Sequence, residues 1–207
     1  MKYLKMLGLA VVAAAAFTAF AGAGTASATV LCTTTPPTGT HCPSEHKLQN
    51  GAVLDASVET TAHLKTTGGT TIATCSGGTV KGEITDTGST TTTVSGHIDE
   101  LTWSGCTTTV HTLANGTLEL HAEPEHNDHG TVTSSGSEVT IRFFGVSCRF
   151  RTNNTQIGTL TGGTMGTFDI AATIPEVSGN FGCPANGVWS GAYTVTEPSG
   201  TLHVLTG

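Results

Sequence analysis

Charge is scarce in this chain: Asp, Glu, Lys and Arg make up 11% of its 207 residues, and aromatic residues only 5%. Long helical bundles and coiled coils need charged and long aliphatic residues at helical period, so the first shortage excludes them. With two Trp and two Tyr in the whole chain, a sugar-stacking cleft would be poorly furnished, which weighs against a jelly-roll glycosidase. No Cys-x-x-Cys pair is present, and this argues against a structural zinc site built on thiolates. Gly-x-Ser-x-Gly is missing too, and with it the nucleophile elbow of serine hydrolases. Asp86-Thr87-Gly88-Ser89 matches the motif around an aspartic protease carboxylate, but that chemistry needs two carboxylates sharing a proton and the chain holds one copy. Basic residues are the rarest charged class. Two of the eight Lys and Arg, Lys2 and Lys5, lie in an N-terminal leader, so the remainder sets six against 15 acidic residues, a net charge of −9. The one basic cluster is Arg142, Arg149 and Arg151. Nucleic acid and anionic membrane surfaces are therefore not expected as partners.

What the chain has in quantity is Thr, about one residue in five, and 27 Gly. β-branched residues with frequent turn formers point to strands. The leader has Lys2 and Lys5 ahead of an uncharged run from Met6 to Gly24, then Ala26-Ser27-Ala28. That pattern predicts a secretory signal over residues 1–28, cleaved after Ala28, and so an extracellular, oxidising destination with no stable membrane insertion after cleavage. Leu31 before Cys32 disfavours lipid anchoring. All six cysteines, Cys32, Cys42, Cys75, Cys106, Cys148 and Cys183, lie beyond the leader. Three disulfides are expected, among 15 possible pairings. Cys32 and Cys42 flank a Pro and Thr segment and would close a short N-terminal loop, and proximity along neighbouring strand-like segments favours Cys75 with Cys106 and Cys148 with Cys183.

Residues 29–50, rich in Thr, Pro and Cys, read as a stapled, irregular lead-in, and residues 51–207 as the folded domain. Leu54, Ala56 and Val58 share one parity while Asp55, Ser57 and Glu59 share the other, the period of a strand with one wet face. Parity changes between Ile98 and Leu101, predicting a bulge at Asp99-Glu100. Another change past Gly145, between Phe143 and Val146, predicts a second. Asn115-Gly116 is the strongest hairpin signal in the chain. About a dozen short strands follow, with no convincing helix. An all-β antiparallel β-sandwich, Greek-key or jelly-roll-like and held by disulfides, fits this pattern best. The core is assigned Trp103, Phe143, Phe144, Phe150, Phe168, Phe181, Trp189 and Tyr193, a set that alternatively lines a pocket for a small apolar ligand.

The densest polar constellation is His121, Glu123, Glu125, His126, Asp128 and His129. Imidazoles and carboxylates are the usual ligands of zinc, nickel and copper(II). His121, His126, His129 and Asp128 are the candidate ligands, weighed against a solvated hairpin tip. No cofactor other than such a divalent metal is indicated. In its Ala-rich leader ending at Ala26-Ser27-Ala28, its Thr- and Gly-rich strands and its isolated cysteines, as in Thr74-Cys75-Ser76 and Ser104-Gly105-Cys106, the chain resembles uncharacterised secreted β-sandwich proteins of high-GC Gram-positive bacteria. The resemblance implies an exported β-domain and brings no site residues with it. The function read from the sequence is a secreted, disulfide-stabilised structural or binding module of the cell exterior with a cell-surface partner and no catalytic activity. The alternative is an extracellular divalent-metal-binding protein using the His121 to His129 loop.

Overall fold

The computed structural model describes residues 28–34, 41–126 and 128–207. The leader up to Ser27 and the Pro36-Pro37 part of the lead-in lie outside them. In chain order the described residues form β1 (Thr29–Cys32), a short 3-10 turn (Ser44–His46), β2 (Val53–Val58), β3 (Ala62–Thr66), β4 (Thr71–Thr87), β5 (Val94–Cys106), β6 (Val110–Ala114) and β7 (Thr117–Ala122). There follow β8 (His129–Ser135), β9 (Glu138–Phe143), β10 (Val146–Arg151), β11 (Thr155–Thr161), β12 (Thr167–Pro175), β13 (Asn186–Glu197) and β14 (His203–Thr206).

Several of these strands are halves of one longer strand. β2 and β3 both run antiparallel to β4, one against Thr79 to Glu83 and the other against Thr71 to Cys75. β6 and β7 follow one another beside β5, but only β7 forms a ladder with it, and β6 belongs with β9 and β10 to a separate three-stranded sheet. β7 pairs with Val94 to His97, and beyond the break Ile98 N donates to Gly116 O, Asn115 Nδ2 to Asp99 O and Thr112 Oγ1 to Leu101 O. β8 with β9, and β10 with β11, repeat the arrangement. Eight long strands result, each beside its neighbours in sequence. β13 closes the ring by pairing β12 on one side and β2 and β3 on the other. The chain is all-β and antiparallel, as its composition indicates. Its principal sheet, however, closes into an eight-strand barrel instead of splitting into the two facing sheets expected, and an up-and-down meander replaces the Greek-key or jelly-roll connection.

Period-two alternation explains the wall. On β12, Phe168, Ile170, Ala172 and Ile174 are buried while Thr167, Asp169, Ala171 and Thr173 face out. An eight-strand ring has room for its own side chains and little more. Two cavities among the described residues are about 100 Å³, between Leu31, Ile84, Leu120 and Leu202, and about 50 Å³, beside Trp103 and Trp189. Both are smaller than a void that holds benzene, roughly 150 Å³. Trp103 and Trp189 meet edge-on at 5.4 Å, and Trp189 meets Tyr193 at 6.3 Å. Burial pushes the Tyr193 phenol well above its ordinary range.

The bulge expected at Asp99-Glu100 is present: Lys81 faces Glu100 and Gly82 faces Ile98, leaving Asp99 unmatched. Asn115-Gly116 is not a hairpin. The chain continues in one direction through it, and Asn115 spends its side chain on Asp99 O. The parity change past Gly145 is not a bulge either, since β9 and β10 form a hairpin around Phe144-Gly145. Both mouths of the barrel are covered. At one, β1 pairs with β14, and all four β1 residues are buried, so this part of the lead-in is regular structure. At the other, the β12–β13 loop folds across the opening. The disulfides are Cys32–Cys42, Cys75–Cys106 and Cys148–Cys183.

Gly116 tests the broken-strand geometry. Its φ is +79°, and an added Cβ would sit 2.4 Å from both Ser135 O and Ser137 N, backbone atoms that cannot rotate away. Gly116→Ala is expected to cost at least about 2 kcal/mol. Urea denaturation measures it; a loss below about 0.5 kcal/mol would contradict the geometry.

Candidate functional site

At the mouth covered by the β12–β13 loop, two of the aromatic residues assigned to the core stand in solvent instead. Phe144 is 85% exposed and Phe181 is 101% exposed. Only five Phe follow the leader, so two-fifths of them are withheld from the core. Phe144 is also held in an unusual backbone conformation. It has φ +47° and Gly145 φ +85°, the pattern of a type I′ turn, where Asn-Gly is the favoured pair. A bulky side chain in that region carries a steric cost of about 1–2 kcal/mol. Phe143 supports the tip from the strand end, with its ring 4.4 Å from that of Phe144.

Phe181 is presented by a loop built for rigidity. The Glu176 carboxylate accepts from Ser178 N at 2.9 Å, Gly179 N at 3.0 Å and Ser178 Oγ. Burial raises the Glu176 pKa, and these donors more than offset it, so the carboxyl lies below its usual range. Asn180 Nδ2 donates to Ser147 O at 2.7 Å, and Cys183 is bonded to Cys148, an inward residue of β10. Residues 180–183 are thereby fastened along residues 146–148, and Phe144 and Phe181 project from adjacent loops. Val177, 44% exposed, adds to the same apolar surface.

The basic cluster noted in the sequence lies on the outer wall beside this tip. Glu138 is opposite Arg151 on the β9–β10 ladder, and its carboxylate, only 2% exposed, accepts from Arg149 Nε at 2.5 Å and from Arg151 Nε at 2.7 Å. Burial pushes the Glu138 pKa up, while the two guanidiniums pull it down and prevail, leaving it below the usual carboxylate range. Arg142, nearest the tip and opposite Ser147, is exposed and has no carboxylate partner among the described residues. The site therefore combines two exposed rings on fixed loops with one uncompensated cation.

The histidine segment is arranged differently. Asp128 Oδ2 accepts from His203 Nδ1 at 2.7 Å and its Oδ1 accepts from Val204 N at 2.8 Å, tying the loop to β14. His129 Nδ1 lies 3.2 Å from Thr161 Oγ1 on β11. His126 faces Glu123 at 3.3 Å and His121 faces Glu119 at 3.7 Å. No three of His121, His126, Asp128 and His129 converge among the described residues. The group that does is Glu83, His97 and Asp99, with ligand atoms within 4.8 Å of one another on the outer wall, where His97 Nε2 is 2.8 Å from Asp99 Oδ1. Asp86 closes its own turn, its Oδ1 accepting from Gly88 N at 2.9 Å. Sequence reasoning missed Phe144 and Phe181 as surface residues. The available signal was the parity change at Phe144-Gly145, which a two-residue turn produces as readily as a bulge.

Two measurements follow from this geometry. Phe144→Asn keeps the turn and removes the steric cost, so it is expected to stabilise the fold by about 1 kcal/mol, seen as a raised denaturant midpoint; a lowered midpoint would contradict the strain. Glu138→Gln removes the charge between two half-exposed arginines and is expected to cost about 1–2 kcal/mol at neutral pH. Because the folded pKa is depressed, this stability is present above the unfolded value and lost as pH falls through the folded one. The difference between the two proteins should thus close below about pH 4.

No family model matches the chain, and the comparisons with curated proteins and with solved structures found no match.

Proposed function

We propose that this protein is an exported, disulfide-stapled barrel that serves as a binding module at the cell exterior, with the Phe144 and Phe181 tip as its contact face. The observation that carries the reading is the pairing of near-complete exposure with positive-φ strain at Phe144. An exposed ring gains nothing for the fold, and a strained one costs it stability. Such strain gathers at functional positions. Three disulfides suit an oxidising compartment, and no helix among the described residues is long and apolar enough to cross a membrane. The leader supplies the export route.

Fractionation of the producing cells tests this. Native protein is expected in the envelope fraction, and Phe144→Asn/Phe181→Ser is expected in the medium, with retention reduced at least about tenfold. Phe144→Asn is chosen because it relieves strain, so loss of folding does not confuse the result. Equal retention of the two proteins would remove the tip from the function.

A further inference from the structure

The net charge argues against anionic surfaces, but the barrel separates its charges by end. Asp86, Glu123, Glu125, Asp128 and Glu197 all lie at or beside the mouth covered by β1 and β14, where they outnumber the basic Lys47, whose Nζ donates to Gly88 O. Lys65, Arg142 and Arg149 lie toward the opposite mouth, where Glu176 is engaged by its own loop and Glu138 by Arg149 and Arg151. β4 alone has 17 residues, which at about 3.3 Å each spans on the order of 50 Å. The Debye length is about 10 Å in about 0.1 M salt, so the acidic end is screened from whatever meets the tip. Local sign decides there, and it is positive.

Shape narrows the partner further. Phe144 and Phe181 sit on convex loop tips and line no groove, and each ring is open on nearly every side. A folded partner would need a hollow matched to each. A deformable apolar phase bounded by anionic groups takes both without one. Aromatic and aliphatic tips beside Arg are the combination that enters a bilayer interface while the cation stays at headgroup level. The outward residues of β4 and β12 are mostly polar, Thr, Asp and Lys among them, so these walls offer no apolar band.

We propose that the protein docks end-on to an anionic lipid bilayer, with Phe144 and Phe181 entering the interface and Arg142 meeting the headgroup phosphates. This rests on the reading of the tip as the contact face and supplies its partner. The disulfide from Cys148 to Cys183 and the Glu176 turn hold Phe181 beside the hairpin, so both rings enter together. No helix among the described residues is long and apolar enough to span the membrane, and removal from it is reversible.

Co-sedimentation of the purified protein with vesicles tests the proposal. Binding is expected to mixed phosphatidylglycerol and phosphatidylcholine vesicles, and not to phosphatidylcholine alone. Arg142→Gln should weaken it about fivefold, and Phe144→Asn/Phe181→Ser at least about tenfold. Raising salt from about 0.1 M to about 1 M should release it, as the Debye length falls to about 3 Å. Near-UV circular dichroism of Trp103 and Trp189 confirms that each variant is folded. Failure of the native protein to bind the anionic vesicles, or equal binding by the double variant, overturns the proposal. If the double variant leaves the envelope in fractionation while the native protein ignores vesicles, the contact face stands and the lipid partner falls. A double variant that stays in the envelope removes both.

Discussion

Closure of the sheet is the constraint on which the rest of this structure depends. Once β13 pairs with β12 on one side and with β2 and β3 on the other, the principal sheet closes on itself, and the sheet of β6, β9 and β10 continues the wall beside it. Every strand must then present one parity inward, and the inward set must fill the ring. Tyr193, Phe150 and Ile84 do so, each no more than 2% exposed. Closure creates its own problem, because two mouths expose that core. Each is answered by a segment that belongs to no wall strand. β1 and β14 cover one, secured through Asp128, and the β12–β13 loop covers the other, secured through Cys183. Two of the disulfides thus fix covers, while Cys75–Cys106 joins facing residues of adjacent wall strands.

The parts of the fold legible in the sequence are those set by near neighbours. Alternation located the strands, and the parity change at Ile98 and Leu101 located the Asp99 bulge. Disulfide partners followed from adjacency. What was not legible is the direction the chain takes after an interruption. Asn115-Gly116 and Phe144-Gly145 both break a strand with a positive-φ Gly. The first has turn-forming chemistry and does not turn; the second lacks it and does. The difference lies in pairing distant in sequence. After Asn115 the next strand finds β5 and β8, and after Gly145 it finds β9. Local backbone preference permits either outcome, and closure of the ring selects one. The same cause separates a barrel from a sandwich, since one pairing, β13 with β2 and β3, distinguishes them.

The candidate site was harder to read for a different physical reason. In a chain poor in aromatics, transfer free energy assigns each ring to the core, at about 1.5–3 kcal/mol apiece. Phe144 and Phe181 break that rule, and only the exposure of each and the positive φ of Phe144 reveal it. The histidine segment shows a different constraint. Its ligand-like residues are dense in sequence, but a mouth loop has backbone and neighbours to satisfy. Asp128 spends both carboxylate oxygens on β14, and its backbone O accepts from Gly162 N. Density along the chain did not become convergence in space.

Net charge misleads for a related reason. A single sum treats the molecule as a point, whereas an elongated barrel carries its charges at positions fixed by strand order. The meander returns alternate connections to the same mouth. The ends of β4 and β13 and the β7–β8 connection gather acidic residues at one end, and β3, β9 and β10 bring Lys65, Arg142 and Arg149 toward the other. The topology therefore sorts charge that the composition mixes. Glu138 sharpens the sorting: its single charge is shared by the two arginines farther from the tip, and Arg142 is left without a carboxylate partner beside the exposed rings. An apolar tip with one free cation, on a body that is otherwise acidic, favours one orientation at a negatively charged surface. The body is repelled and the tip attracted, so the same field that would keep an evenly charged protein away aligns this one end-on.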